Sequence, residues 1–181
     1  MNENFANWVG PARLEIVREL PASRERVWEY FVNPELRQKW FCSGETGVCA
    51  GEPFVMDFDH SRISNSSAPD DGCGGPIVMR GTILEYEPPS KLAYRWPGAT
   101  EDEDSIVTIE LTALGDKTRL RLIHSQLSNP DFGTAASVGW HAHLDLLLDL
   151  TNDQPARDFW VHFAETKLQY EKRSVETANQ L

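Results

Sequence analysis

The chain has 181 residues, 40% of them hydrophobic, which suits one domain with a sizeable core. Its 28 acidic and 17 basic residues give a net charge of −11, so nucleic acid is not an expected partner, because a face that neutralises phosphates is basic. The longest apolar run, Leu144–Leu150, contains two aspartates and predicts no membrane insertion, while Met1–Val9 lacks signal-peptide features and leaves a cytoplasmic location as the expectation.

The first third of the chain predicts one strand and two short helices. Residues Arg13–Leu20 alternate between apolar and charged side chains, which is the pattern of a half-buried strand. Ser23 follows as the predicted N-cap of a helix whose apolar stripe includes Trp28. Asn33–Pro34 ends this helix and begins a second, Glu35–Trp40, since proline suits a first helical turn.

The middle of the chain predicts a run of strands interrupted by one long loop. Glu52–Asp59 alternates as a strand. Residues 59–76 are rich in serine, aspartate and glycine, which predicts a flexible loop insertion. Four further strands are predicted at Ile77–Glu87, Lys91–Trp96, Ser105–Ala113 and Thr118–His124. The turns between these four are short, so the strands form an antiparallel meander.

The C-terminal third predicts helices. Helical periodicity runs from Gly133 to Leu150, stops at Asn152–Pro155, and resumes from Ala156 to Ser174. Residues 151–181 are therefore expected to add a C-terminal helix. The sequence shows no internal repeat and no linker, so residues 1–181 are expected to form a single domain.

Several motifs, in this order and spacing, resemble one superfamily over most of the chain. They are Val17–Ser23, Asn33–Leu36, Arg80–Pro89, Leu92–Trp96 and, near the start of the predicted C-terminal helix, Gly139–Trp140. The chain is similar to the START-like, or SRPBCC, helix-grip superfamily. Within it, the chain resembles the branch named for homology to the activator of the heat-shock-90 chaperone ATPase.

This resemblance implies an α+β helix-grip fold. A curved antiparallel sheet of about six to seven strands would wrap around a long C-terminal helix, with two short helices after the first strand. Superfamily members bind lipids, sterols, polyketides or plant hormones in an internal cavity, and some are enzymes. The loop at 59–76 would then be an insertion that covers the cavity mouth. The chaperone activator proper carries a further domain before this one, whereas only about a dozen residues precede the first strand here.

A set of aromatic, apolar and histidine side chains is expected to line that cavity. These residues alternate toward one face of the predicted strands or lie on one side of the predicted helix. The set is Trp40, Phe54, Met56, Phe58, Tyr94, Trp96, His124, Trp140, His143, Leu144 and Leu147. Aromatic side chains serve equally well as packed core. Arg80, Thr82 and Arg95 either supply polar anchors or face solvent, which periodicity leaves open.

The histidines allow two interpretations each. His124 either faces the cavity as an acid or base or lies at a strand end, half exposed or hydrogen-bonded to backbone, and the second interpretation is favoured. His143 lies nearer the apolar side of its helix. His141 shares a polar stripe with Ser137, Asp145 and Asp149, which is expected to face solvent.

No metal, cofactor or catalytic residue is predicted. Asp57, Asp59 and His60 lie together, but no second cluster completes a ligand set, so ordinary polarity at a strand edge is expected. The acidic run at 101–104 is expected to be solvated. The three cysteines, Cys42, Cys49 and Cys73, have no CxxC spacing and are expected to be reduced thiols.

Three functional hypotheses follow. The first is a protein that binds an apolar, lipid-like or polyketide-like small molecule. The second is a chaperone-associated module with an exposed apolar binding surface. The third is an enzyme using a cavity histidine, which the lack of nucleophile, phosphate-loop and dinucleotide motifs makes less favoured. The chain is expected to be a monomer or a homodimer.

Overall fold

The computed structural model describes residues 5–68, 75–127 and 130–178 and has an α+β architecture. The strands are β1 (Asn7–Trp8), β2 (Arg13–Leu20), β3 (Pro53–Phe58), β4 (Ile77–Glu87), β5 (Lys91–Trp96), β6 (Ser105–Leu114) and β7 (Lys117–Ser125). The helices are α1 (Arg24–Val32), α2 (Pro34–Arg37), α3 (Pro130–Thr151) and α4 (Phe159–Ala178). The strands form one antiparallel sheet in the order β1-β2-β7-β6-β5-β4-β3. The helix-grip fold predicted from the sequence is confirmed.

The sheet forms because alternate residues of each strand are apolar and face inward. In β2, Leu14, Ile16 and Leu20 are fully buried and share the inner face with the buried Arg18, whereas Arg13, Glu15 and Glu19 lie on the outer face. There, Arg121 of β7 forms ion pairs with Glu15 and with Glu110 of β6. The two faces of the sheet thus separate a dry core from a charged, solvated surface.

One glycine allows the sheet to bend. Gly81 in β4 lies so close to β5 that a Cβ atom at this position would be 2.2 Å from the carbonyl oxygen of Arg95. The pairing of β4 with β5 shifts register between Ile83 and Glu85, as in a β-bulge. Bulges and close-packed glycines increase strand curvature, and here they wrap β4 and β3 around the helical layer.

The short helices begin where the sequence predicts. Ser23 Oγ accepts the backbone N–H of Arg26, and Asn33 Oδ1 accepts that of Glu35. The second helix is shorter than predicted and ends at Arg37. Its last residue is a fully buried arginine that lies over the Phe54 ring at 4.5 Å.

The Arg37 guanidinium organises the chain between α2 and β3. Its N–H groups donate to the backbone carbonyls of Phe31, Cys42, Ser43, Gly44 and Val55 and to the hydroxyl of Thr46. Burial lowers the pKa of Arg37. Carbonyl oxygens therefore satisfy this cation in the core. Its neighbour Cys42 is also buried, which raises the pKa of the thiol to about 12, whereas Cys49 is exposed.

The polar stripe of α3 is not solvated, and this expectation from the sequence is wrong. Ser137 and His141 are only 2% and 5% exposed. Helix α4 packs against α3 and contacts His141 through Tyr170 and His162. Asp145 accepts from Arg18 Nε at 3.1 Å and lies 3.4 Å from His141 Nε2. We call the residues around this carboxylate the charged cluster: Arg18, His141, Asp145, Asp149, Arg157 and His162.

The N-terminal segment closes one end of the charged cluster. The Phe5 ring lies edge-on to His141 and to Tyr170, with centroids 5.1 Å apart in each pair. The backbone N–H of Ala6 donates to the Tyr170 hydroxyl at 2.8 Å. Strand β1, which the sequence analysis did not predict, continues this segment along β2. None of the described helices has the length and apolar character needed to cross a membrane.

Candidate functional site: an aromatic pocket between the sheet and two helices

A pocket of about 280 Å³ lies between the inner face of the sheet and the two long helices. Phe58, Met79, Trp96 and His124 reach it from four strands, and Ile77 stands at its rim, 55% exposed. Ala136, Gly139, Trp140 and His143 face it from α3, with the half-exposed Phe132 at the rim. Phe159, Trp160 and Phe163 close it from α4, and Phe41, His60 and Gly75 from loops. We call this set of residues the aromatic pocket.

The pocket walls are aromatic rings that pack on one another. Phe41 stacks on Trp140 with centroids 5.0 Å apart and meets Phe58 edge-on at the same distance. Trp96 lies edge-on to Trp140 at 5.7 Å. Offset-stacked and edge-to-face pairs at such distances are mutually stabilising. Each ring is therefore held by its neighbours, which makes the walls rigid.

His124 is buried in the wall and is fully engaged by protein groups. Trp140 Nε1 donates to its Nδ1 at 3.2 Å, so Nδ1 is unprotonated and the proton resides on Nε2. Nε2 lies 2.8 Å from Ser105 Oγ and donates to it, so this imidazole cannot abstract the serine proton. Burial lowers the pKa of His124 to about 3. His124 does lie at a strand end, but the favoured interpretation that it is half exposed or hydrogen-bonded to backbone is wrong, because it is fully buried and both its partners are side chains.

His143 and His60 form a pair at the other end of the pocket. His143 Nδ1 donates to the Trp40 carbonyl oxygen at 2.6 Å, so its Nε2 is an acceptor that faces His60 Nε2 at 3.4 Å. Both imidazoles stack on Phe159 with centroids 4.4 Å away. Burial and the neighbouring His60 lower the pKa of His143 to about 3, and burial lowers that of His60.

The segment that carries His60 is tied to the start of α4. Asp158 accepts from Ser64 Oγ at 2.6 Å and from the backbone N–H of Asn65 at 2.7 Å. The same carboxylate caps α4 by accepting the N–H of Val161 at 3.2 Å. Partial desolvation raises the pKa of Asp158, but these hydrogen bonds outweigh it and lower the pKa to about 2. Asp158 thus joins the loop wall of the pocket to its helical wall.

The structure divides the eleven predicted cavity residues into two groups. Phe58, Trp96, His124, Trp140 and His143 line the aromatic pocket. The other six, Trp40, Phe54, Met56, Tyr94, Leu144 and Leu147, lie in the packed core and are at most 2% exposed. Tyr94 stacks on Phe54 at 4.1 Å, and burial raises its pKa well above the ordinary value.

The remaining polar candidates lie outside the pocket. Asp57 accepts from Ser43 Oγ and forms an ion pair with Arg62, and Asp59 caps a short 3-10 turn at His60–Arg62. Within the described part of the chain no three potential metal ligands converge. Arg80 and Arg95 are exposed. In the acidic run, Asp104 accepts the N–H of Gly98. Cys73 lies outside the described residues.

The sequence analysis does not include the pocket residues Phe159, Trp160 and Phe163, because it predicts their helix without a partner element. Phe41 and His60 occupy irregular segments, where no periodicity indicates direction. A run of aromatic residues at helical spacing in α4 was the available signal, since such a stripe must pack on another element.

The comparisons with known proteins agree with this architecture. A family model described as Activator of Hsp90 ATPase homolog 1-like protein matches residues 21–151. The protein encoded by gene BPP1335 of Bordetella parapertussis has a similar solution structure, with a TM-score of 0.78 and 32% identity over 92% of this chain and 88% of that chain. No curated protein matches the chain.

Two further solved structures share the fold at lower identity. CalU16 from Micromonospora echinospora has a TM-score of 0.66 and 22% identity, over 93% of each chain. DynU16, encoded in the dynemicin biosynthetic locus, has a TM-score of 0.65 and 19% identity, over 83% of this chain and 51% of its own. Identities this low establish likeness of fold alone.

Proposed function

Since the chain belongs to the family of Activator of Hsp90 ATPase homolog 1-like proteins, we propose that it binds an apolar small molecule in the aromatic pocket. The observation that carries this proposal is the pocket itself: about 280 Å³ of space, bounded by aromatic walls and bordered by a core of buried apolar side chains. Ligand sites are typically apolar recesses of this kind with a few polar groups.

The hydrogen bonds of His124 and His143 favour binding over acid–base catalysis by these two residues. Both ring nitrogens of His124 and of His143 face protein partners. A general acid or base needs a nitrogen within hydrogen-bond reach of the substrate. Engaged and neutral, these imidazoles serve the pocket as flat, weakly polar wall segments.

One similar structure bears on the class of ligand, and two lining residues bear on the role of the loop at 59–76. DynU16 comes from a biosynthetic locus, which is consistent with a lipid-like or polyketide-like ligand. His60 precedes and Gly75 follows residues 69–74 in the chain, and both line the pocket. We therefore retain the proposal that the loop at 59–76 covers the pocket mouth.

A pocket-filling variant tests this function without weakening the fold. A Cβ atom added at Gly139 would meet no atom within 4 Å, so Gly139→Leu places its side chain in open pocket space. Leucine also has the higher helix propensity, so the variant is expected to fold. Ala164→Leu, at an exposed position of α4, is the matched control.

Native mass spectrometry of freshly purified protein supplies the readout. The expected result is extra mass on the wild type and on Ala164→Leu, absent from Gly139→Leu and lost on denaturation. If the wild type carries nothing, a thermal-shift panel of apolar compounds follows, because a ligand that binds only the folded state raises Tm. A panel that shifts no Tm, or that shifts wild type and Gly139→Leu equally, would overturn the proposal.

The family description favours one alternative, a chaperone-associated module. This alternative predicts a complex with a heat-shock-90 chaperone and a changed chaperone ATPase rate. A pulldown and an ATPase assay with Gly139→Leu separate the two functions, because a surface interaction would survive the filled pocket. Absence of both complex and ATPase effect would remove this alternative.

A further inference from the structure

The chemistry of the aromatic pocket narrows the class of ligand, and this narrowing rests on the proposed function. From its size, its ring-lined walls and its lack of a counter-charge, we infer that the pocket selects neutral, planar aromatic molecules of about two fused rings. Three observations carry the inference, and each excludes a different competing ligand class.

The first observation is the size of the pocket. A cavity of roughly 150 Å³ in another protein holds one benzene ring. The aromatic pocket has about 280 Å³, which suits a two-ring molecule. Pockets for drug-sized ligands span roughly 300–1,000 Å³, so this pocket lies just below that range and suits a molecule smaller than a sterol or a long acyl chain.

The second observation is the orientation and rigidity of the walls. Phe41, Trp96, Trp140 and Phe159 are each held by at least two ring contacts within the wall. A planar aromatic ligand gains offset-stacked and edge-to-face contacts against such surfaces. A flexible chain of equal hydrophobicity gains only dispersion and also loses rotational freedom on binding. The walls therefore favour rings over chains.

The third observation is the absence of a positive partner. Among the lining residues that the structure describes there is no lysine or arginine. His124 accepts an N–H from Trp140 and is therefore neutral, and His143 offers its Nε2 to His60 rather than to the pocket. His60 donates its Nε2–H to that acceptor, its buried Nδ1 has no partner among the described residues, and burial lowers its pKa, which favours the neutral imidazole here as well. An ionised carboxylate buried without a counter-charge is strongly destabilised. The pocket therefore disfavours fatty acids and aromatic carboxylates.

Four probes in a two-by-two design test this inference by isothermal titration calorimetry at about pH 7.5. 2-Naphthol and heptan-1-ol are neutral and partition similarly between water and octanol, but only the first is planar and aromatic. 2-Naphthoate and heptanoate are anionic carboxylates that carry, respectively, the same naphthalene ring and a similar alkyl chain. 2-Naphthol is expected to bind at least about tenfold more tightly than heptan-1-ol and than 2-naphthoate, and to lose this binding in Gly139→Leu.

The outcomes separate this inference from the proposed function. Heptan-1-ol binding as tightly as 2-naphthol, or 2-naphthoate binding as tightly as 2-naphthol, would overturn the inference. If that binding were still lost in Gly139→Leu, the apolar-ligand function would stand. Binding by none of the four probes would also overturn the inference, and the native mass comparison would then decide the proposed function on its own.

Discussion

The two faces of helix α3 lie in different environments, and each face carries a buried histidine. On one side, Trp140 and His143 face the aromatic pocket, where His143 contacts rings, a carbonyl and another imidazole. On the other side, His141 faces Asp145 and the charged cluster. One helix thus carries one histidine into a space without formal charge and another into a group of ions, within three residues of each other.

The difference shows how neighbours decide whether a buried polar group stays neutral. Rings cannot compensate a charge that has lost its water, so the pocket histidines have low pKa values. In the charged cluster, burial alone would raise the pKa of Asp145. Hydrogen bonds from His141 and His162 and the charge of Arg18 outweigh that effect and hold the pKa far below its ordinary value. Neutral histidines fit a pocket for apolar ligands, whereas the paired charges of the charged cluster fit a site that holds β2, α3 and α4 together.

The largest expected effect is the loss of unfolding free energy on acidification, which tests whether the pocket histidines are held neutral. The pKa of about 3 for His124 and His143 lies below the unfolded value of about 6.5, so the unfolded chain binds more protons between these limits. Unfolding free energy is then unaffected above about pH 6.5 and falls as the pH drops. Each histidine costs about 1.4 kcal/mol per pH unit below about pH 6, so two units cost about 5 kcal/mol. Urea unfolding at several pH values measures this slope.

Two variants show which residue causes the slope of unfolding free energy against pH. His124→Gln removes a titrating group and is expected to flatten the pH dependence by about one proton, although it is less stable at pH 7. Trp140→Phe removes the hydrogen bond to His124 but keeps the imidazole, so it retains the steep slope. An unchanged slope in His124→Gln would show that the folded protein does not hold His124 neutral.

Removing the central carboxylate tests the charged side. Asp145→Asn leaves Arg18, whose side chain is 3% exposed, without its ion-pair partner. Breaking a buried pair from one side costs about 3 kcal/mol. Asp153→Asn is the matched control, because its pair with Arg26 is exposed and worth at most about 1 kcal/mol. Equal losses of unfolding free energy in the two variants, measured by chemical unfolding, would mean that the charged cluster stabilises the fold no more than an exposed ion pair does.

The link between the loop wall of the pocket and α4 gives a smaller effect. Asp158→Ala removes the cap of α4 and the hydrogen bonds to Ser64 and Asn65. The expected cost is about 1 kcal/mol, together with faster ligand release, because His60 loses its fixed position against Phe159. Asp158→Asn keeps an acceptor for the cap and is expected to lose less. Unchanged unfolding and release rates in Asp158→Ala would contradict this role.

The smallest effect is a gain in stability. Gly139→Ala adds a methyl group that meets nothing within 4 Å, so only helix propensity changes, by up to about 1 kcal/mol in favour of folding. The contrasting substitution is Gly81→Ala, whose methyl would overlap the Arg95 carbonyl and destabilise the sheet. Thermal unfolding of both variants checks the signs. A destabilised Gly139→Ala would mean that the pocket is not open at this point.

Local pattern predicts most of the fold. The strands from Arg13 to Ser125 lie within about two residues of their predicted bounds, because alternation directly reports which side chains face the core. Strand β1 was missed, since two residues cannot show a period. Arg37 also gave no signal, because its burial depends on carbonyl oxygens that the later chain brings to it.

The site was harder to predict because sequence periodicity shows which side chains face inward but not which of them border open space. Phe54 and Phe58 alternate on the same face of β3, yet Phe54 is packed against Tyr94 whereas Phe58 lines the pocket. The polar stripe at His141 and Asp145 was assigned to solvent because the amphipathic pattern of α3 does not reveal that α4 covers it. Which inward residues border open space depends on how helices and sheet diverge, and this is a tertiary property.

The central claim is that ligands bind on the aromatic side of α3, and indole N–H resonances test it most directly. The chain has six tryptophans, of which Trp96, Trp140 and Trp160 line the pocket, whereas Trp28 packs against Tyr86 elsewhere in the core. On titration with 2-naphthol, two-dimensional NMR is predicted to show shifts of the three pocket indoles and none at Trp28. Shifts at Trp28 without shifts of the pocket indoles would contradict the account.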